Sequence, residues 1–283
     1  MMELAEKAIS LLKALIETPS ISREEGKTAE LIEKFLRAEG VKTERIGNNI
    51  WARNKHYDLT LPTILLNSHH DTVKPNAGYT KDPFSAIVED GKLYGLGSND
   101  AGGCLVSLIA TFLHFYNAEN LNYNLILAAS AEEEISGKGG IERLLPQLPD
   151  IDFAIVGEPT QMLDVRTTDA YSNEETLAII REHVDCDVTP RSTRLNPSGI
   201  GADHPIVKAG KAQGRNTYGS PTLSDQALMP FASVKLGPGD SARSHTADEY
   251  VFIKEIEDGV DIYAAILGKL LVDIPINQEP FNQ

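Results

Sequence analysis

The sequence predicts an α/β fold: a three-layer domain whose mostly parallel central sheet is flanked by helices. Three observations predict it. Short apolar runs at 63–67 (TILLN), 124–130 (NLILAAS) and 152–157 have the length and apolarity of strands buried on both faces. Helical patterns separate them, which makes a β-α-β-α-β order. A chain of 283 residues, 41% of them apolar, buries roughly 70–75% of its unfolded surface and needs no staples.

The elements follow in order. Leu4, Ala5, Ala8, Leu11, Leu12 and Leu15 recur at spacings of three and four, and Pro19 closes this first helix. A second helix is expected over 24–38. Ser22 and Glu25 would form its capping box, Ala29, Ile32, Phe35 and Leu36 its apolar face, and Gly40 its stop. Strands are expected over 41–51 and 63–67, and Asp90-Gly91 marks a hairpin between 87–88 and 92–94. A helix over 102–116, a strand over 124–130, a short helix over 139–145 and a strand over 152–157 complete this part.

The middle reads differently. A strand over 163–168, a helix over 172–184 and a strand over 188–194 make a β-α-β fragment too small to bury its own face. Ser172 caps that helix with Glu175 at N3, and Leu177, Ile180 and Val184 are its apolar face. The Gly-rich, polar stretch 208–221 reads as a long loop, and 247–272 contains a long helical pattern from Val251 to Leu270.

Composition excludes several classes of function. Net charge is −15, which disfavours nucleic acid and anionic lipid as partners. Cys104 and Cys186 cannot make a disulfide framework, which fits a reducing compartment. Glu3, Glu6 and Lys7 interrupt the apolar core a signal peptide would need, and no run approaches a spanning helix. The expectation is a soluble cytoplasmic protein.

Ligands in an open α/β sheet come from loops beyond the carboxyl ends of its strands. Five segments satisfy that rule: His69-His70-Asp71, Asn99-Asp100, Glu132-Glu133-Glu134, Glu158 in VGEPT, and His245 in SARSHTADEY. His56, His114, His183 and His204 read as ordinary hydrogen-bonding residues instead. Charged groups after apolar strands are costly unless they are used, and His, Asp and Glu without thiolates suit a hydrolytic zinc, manganese or cobalt site.

These motifs, in this order, resemble the dinuclear metallopeptidase and deacylase family that contains acetylornithine deacetylase, succinyl-diaminopimelate desuccinylase and carboxypeptidase G2. The resemblance covers about residues 1–162 and 200–283. It implies a zinc-exopeptidase-like core holding two divalent ions, zinc first, with cobalt or manganese as alternatives. Asp100 would bridge the ions, His69 and Glu158 would complete one site, and Glu134 and His245 the other. Asp71 would orient the His69 ring, and Glu133 would be the general base acting on a metal-bridged water. Ser224, Asp225 and Arg191 are candidate substrate contacts, with a solvated-surface role as the alternative. Glu132 stands where relatives commonly have Asp, and GLGSNDAGG lacks the Arg and Lys many relatives carry there.

The larger departure is in the middle. Relatives insert an α+β lid of about 110 residues after GEPT, which closes over the metals, mediates dimerisation and contributes a histidine to the site. Here 163–197 resembles only the last strand, helix and strand of such a lid, between catalytic parts 1–162 and 198–283. An engineered deletion, a naturally reduced relative and a sequence with a stretch left out all fit, and the abrupt join favours deletion or omission.

The expected activity is removal of the acyl group from an N-acylated amino acid of the N-acetylornithine, N-succinylornithine or N-acetylcitrulline class, as in arginine biosynthesis. The alternatives are a di- or aminopeptidase on the same core, or a metal-binding core made inert by loss of the lid. The resemblance implies a homodimer if the lid is present, and a monomer or weak self-association if it is absent.

Overall fold

The structure is a computed structural model that describes residues 1–162, 171–219 and 222–272. Its elements are α1 (Met2–Ile16), α2 (Gly26–Ala38), β1 (Thr43–Ile46), β2 (Asn49–Arg53), β3 (Thr63–His69), β4 (Ile87–Glu89), β5 (Lys92–Tyr94) and α3 (Gly103–Tyr116). After these come β6 (Asn124–Ser130), α4 (Ile141–Leu144), β7 (Phe153–Val156), α5 (Asn173–His183), α6 (Pro205–Ala212), β8 (Ala232–Lys235), β9 (Tyr250–Phe252) and α7 (Ile253–Leu271).

The main sheet has the order β1-β2-β6-β3-β7-β8. The β6, β3, β7 and β8 ladders are parallel, and β1 and β2 add an antiparallel edge. The expected central strand is indeed central, and all seven residues of β3 are buried. Side chains alternate across the sheet with the strand period of two. Ile64 and Leu66 join the core under α1, α2, α3, α6 and α7. Leu65 joins Ile126, Ala154, Ile141 and Leu144 on the thinner face under α4. Leu125, fully buried at the start of β6, lies at the end of the sheet away from the site. Leu125→Ala is expected to cost about 2–5 kcal/mol in urea denaturation, as deep truncations do, without changing metal uptake.

The Asp90-Gly91 hairpin forms as expected: both residues have positive φ (49° and 74°), and Glu89 pairs with Lys92. It belongs to a second, three-stranded sheet with β9, because 250–252 is a strand ahead of α7. Three local expectations are corrected. The 41–51 strand is two strands, β1 and β2, turning at Gly47 (φ 63°) and Asn48 so that the hairpin doubles back on itself. The 208–221 loop begins inside α6, where Pro205 sits in the first turn, His204 caps it, and Ile206, Val207 and Ala209 are buried. The capping box at α2 does not form, since Ser22 Oγ donates instead to Asp71 Oδ2 at 2.6 Å.

In the middle, α5 does carry the Ser172–Glu175 capping box. Only Leu177 of α5 is buried, while Ile180 and Val184 are exposed. The expected strand at 163–168 lies outside the described residues. That at 188–194 is not a strand: a ladder needs a partner for its polar groups, and here side chains supply it. Arg181 donates to the Val188 carbonyl, and Asn173 to those of Thr193 and Leu195. Among the described residues, no helix is long and apolar enough to cross a membrane.

Candidate metal centre

The carboxyl ends of β3, β6 and β7 carry His69, the Glu132–Glu134 turn and Glu158 to one place, as the parallel order requires. Asp100 reaches it from an irregular turn ahead of α3, where Gly97 has a φ of 74° and a Cβ would meet Thr72 Cγ2 at 2.5 Å. His245 arrives from the loop before β9. Ligand atoms of His69, Asp100 and Glu134 all lie within 4.8 Å of one another. His69 Nε2 is 3.3 Å from Asp100 Oδ1, and His245 Nε2 is 2.9 Å from Glu134 Oε2 and 3.6 Å from Asp100 Oδ2. Asp100 thus lies between the two histidines. Glu133 Oε2 is 3.8 Å from His69 Nε2.

Asp71 is fixed more widely than the H-x-D spacing suggests. His69 Nδ1 lies 3.1 Å from the Asp71 main-chain oxygen and 3.5 Å from its carboxylate. A carbonyl can only accept, so Nδ1 carries the proton and Nε2 is left to face the cluster. The Asp71 carboxylate accepts the N–H groups of Glu133 (3.0 Å) and Glu134 (3.2 Å) as well as the Ser22 hydroxyl. It therefore aligns the histidine and both glutamates together. Glu25, fully buried, accepts from Glu132 N, Arg23 N and Asn48 Nδ2, holding the same turn from behind. His70 points away, with Nε2 against the Asn48 carbonyl and Nδ1 against the Thr28 hydroxyl.

The electrostatics show an excess of negative charge. Burial, with Asp100 adding to it, pushes the Glu158 carboxyl up to about 8. Burial also drives Glu133 well above its ordinary value, helped by Glu158, Asp225 and Glu134 and opposed by His69. The hydrogen bond it donates to Glu134 pulls His245 up to about 9. Burial would lower the His69 pKa, but Glu133, Asp100 and Asp71 outweigh it and hold it well above. For Asp100, burial is overcome by the His69 hydrogen bond, and its carboxyl stays below the usual range. Glu158 Oε1 is buried and has no hydrogen-bond partner among the described residues.

Divalent cations fit this donor set. Imidazoles and carboxylates without a thiolate suit a hydrolytic ion, the repelling carboxylates need positive charge, and Glu158 Oε1 is an acceptor in want of a partner. Ligands must be deprotonated, so cation uptake competes with protons. Glu158, at about 8, and His245, at about 9, both hold a proton at pH 7 in the metal-free chain. Zinc titration at pH 7 in buffers of different ionisation enthalpy is expected to show release of more than two protons, because His69, also held well above its ordinary value, gives up its Nε2 proton as well. Affinity should climb from pH 6 to 9 and then level off.

The candidate substrate residues fare unequally. Asp225 and Ser224 are buried, which corrects the solvated-surface alternative. Asp225 Oδ2 accepts from Ser130 Oγ (2.6 Å) and Asn67 Nδ2 (2.8 Å), both on the central strands, and burial raises its pKa. Ser224 Oγ accepts from Gln226 N and caps the turn beneath it. Arg191 is exposed in the segment after α5, with no bond to the cluster.

Comparison with known proteins now decides the family. The model of peptidase family M20/M25/M40 matches residues 65–269, more than two thirds of the chain. The chain belongs to peptidase family M20/M25/M40. It is similar to a succinyl-diaminopimelate desuccinylase of Beijerinckia indica, 30% identical over 173 residues that make 56% of this chain and 44% of that one. It is also similar to an acetylornithine deacetylase of Proteus mirabilis, 35% identical over 170 residues, with the same shares of 56% and 44%. The chain thus spans less than half the length of the curated relatives it matches. Among solved structures, the YXEP protein of Bacillus subtilis, a dinuclear metal binding peptidase of the same family, superposes with a TM-score of 0.68. At 15% identity, covering 97% of this chain and 100% of that one, it supports the shared fold.

Proposed function

We propose that the chain is the core of a metal-dependent amide hydrolase that removes the acyl group from N-acylated amino acids of the N-acetylornithine, N-succinylornithine or N-acetylcitrulline class. The observation that carries this reading is the convergence of His69, Asp100, Glu134 and His245 around one carboxylate, with Glu133 beside them. In this reading His69, Asp100 and Glu158 hold one divalent ion, and Asp100, Glu134 and His245 hold a second. Zinc suits both, with cobalt or manganese as alternatives. Such ions polarise a scissile carbonyl and acidify the attacking water. Glu133 takes the water's proton as the C–O bond forms and delivers it to the nitrogen as the C–N bond breaks. Its surroundings raise its pKa in the metal-free chain, which supports a part in proton transfer.

The named relatives support a deacylase, since both act, by name, on acylated diamino acids. Residues 1–162 and 198–283 form the catalytic unit in this reading, and 163–197 is what remains of a lid, so the chain is expected to be a monomer or to self-associate weakly. The test compares the three N-acyl substrates with a dipeptide panel at equal zinc loading. Faster dipeptide turnover would replace the deacylase reading by a peptidase one, and no turnover by the metal-loaded chain would leave an inert metal-binding core.

A further inference from the structure

We infer that Glu249 is a positioning residue for the Asp100 turn, and that with Asn99 it fixes the spacing between Asp100 and His245. The inference rests on the metal-centre reading proposed above and concerns two residues that lie within its motifs but were given no role there.

Asp100 sits in a single distorted turn, Ser98–Gly102, closed by the Gly102 N–H donating to the Gly97 carbonyl, and is itself outside helical geometry. Its φ and ψ are −117° and 99°, and α3 begins only at Gly103. Three N–H groups of this stretch converge on one side chain. Gly97 N donates to Glu249 Oε2 at 3.1 Å, and Asn99 N and Asp100 N donate to Oε1 at 2.8 and 2.9 Å. Glu249 is 1% exposed, so these bonds are not shared with bulk water. They reach residues before the helix, which separates them from an ordinary helix cap.

The second clamp is Asn99. Its Oδ1 accepts from Asp240 N, and its Nδ2 donates to Asp240 O, both at 3.0 Å. Asp240 and Glu249 bracket His245, whose own backbone is left-handed at a φ of 59°. Asp248 ties the same segment to the Thr80 and Lys81 N–H groups. The backbones carrying Asp100 and His245 are therefore joined on both sides of the pair, and the 3.6 Å approach of Nε2 to Oδ2 follows from that joining. Neither Glu249 nor Asn99 needs to touch an ion to set where a shared ligand stands.

Glu249→Gln keeps the shape but replaces one accepting oxygen with an N–H donor. With its oxygen toward Asn99 and Asp100, its amide group faces the Gly97 N–H, donor against donor. The test uses the full chain. Amide exchange is followed by NMR on metal-free protein, and Co2+ is titrated by its visible absorption. In Glu249→Gln, exchange at Gly97, Asn99 and Asp100 is expected to quicken by about tenfold or more. Co2+ affinity is expected to fall by about 10–100-fold, with an altered spectrum. Asn99→Ala should weaken Co2+ binding in the same direction, and Glu249→Asp, with the two accepting oxygens kept one methylene short, should fall between. Leu125→Ala controls for lost stability alone and should leave the spectrum unchanged. If Glu249→Gln does not fold, the Glu249→Asp and Asn99→Ala measurements decide.

Wild-type exchange, affinity and spectrum in the Glu249 and Asn99 variants would overturn the inference, as would an equal change in Leu125→Ala. A wild-type chain that takes up no Co2+ would overturn the metal-centre reading instead. The exchange comparison on metal-free protein would then still decide whether Glu249 holds the turn.

Discussion

Glu133→Gln is expected to lower turnover of an N-acyl amino acid by about 10²–10⁴-fold while leaving metal content unchanged. The size is that of a positioned proton transfer, since glutamine fills the same space and cannot take the proton. Metal retention follows from the placement of the two neighbours. Glu134 is hydrogen-bonded to His245 and grouped with His69 and Asp100, whereas Glu133 meets the cluster only at 3.8 Å from His69. Both backbone N–H groups are held by Asp71, so neither substitution should displace the other residue. Glu134→Ala should therefore lose metal where Glu133→Gln keeps it. Elemental analysis beside steady-state kinetics checks this, and equal metal loss in both variants would erase the distinction between base and ligand. Where the chain's own turnover is too slow to follow, a chain with a lid inserted after Met162 serves as the parent.

The chain as it stands is expected to hydrolyse N-acetylornithine about 10²–10³-fold more slowly than the same chain with a lid inserted between Met162 and Leu163. That range is the worth of one oxyanion donor, the part expected of the lid histidine that the family resemblance implies. Exposure acts in the same direction. The His245 side chain is 52% exposed, so the side of the centre it shares with Glu134 faces solvent. Water there weakens each electrostatic interaction that closure would strengthen. Ile179 and Ile180 of α5, and Val184 after it, are exposed. The measurement is kcat/KM with saturating zinc or cobalt, together with mass in solution by light scattering. A discrete dimer with a kcat/KM of about 10⁴ M⁻¹s⁻¹ or more, an ordinary enzyme value, would show that the lid is dispensable.

Much of this protein is legible in short windows of sequence. The period of three and four marked α1, and its apolar positions Leu11, Leu12 and Leu15 are buried as that period demands. The apolar runs marked β3, β6 and β7, and the charged residues that follow them pointed to the cluster. Those signals are local because a helix or a strand end is built by neighbours in the chain. Local reading failed where a residue's partner is remote. Ser22 and Glu25 have the spacing of a cap, yet Ser22 is used by Asp71, 49 residues on, and Glu25 by Glu132, 107 residues on.

Asp225 reads as a substrate contact or a solvated residue in sequence, and only the sheet places it under Ser130 and Asn67. Nothing in the sequence near Glu249 shows that the turn at 97–100, about 150 residues earlier, closes around it. The sequence by itself determined the α/β class, the strand ends and the kinds of groups gathered there. Only the tertiary structure decided which carboxylates accept backbone N–H groups and which are left to face the centre. That choice depends on which distant backbone donors folding brings within about 3 Å, and no window of sequence contains it.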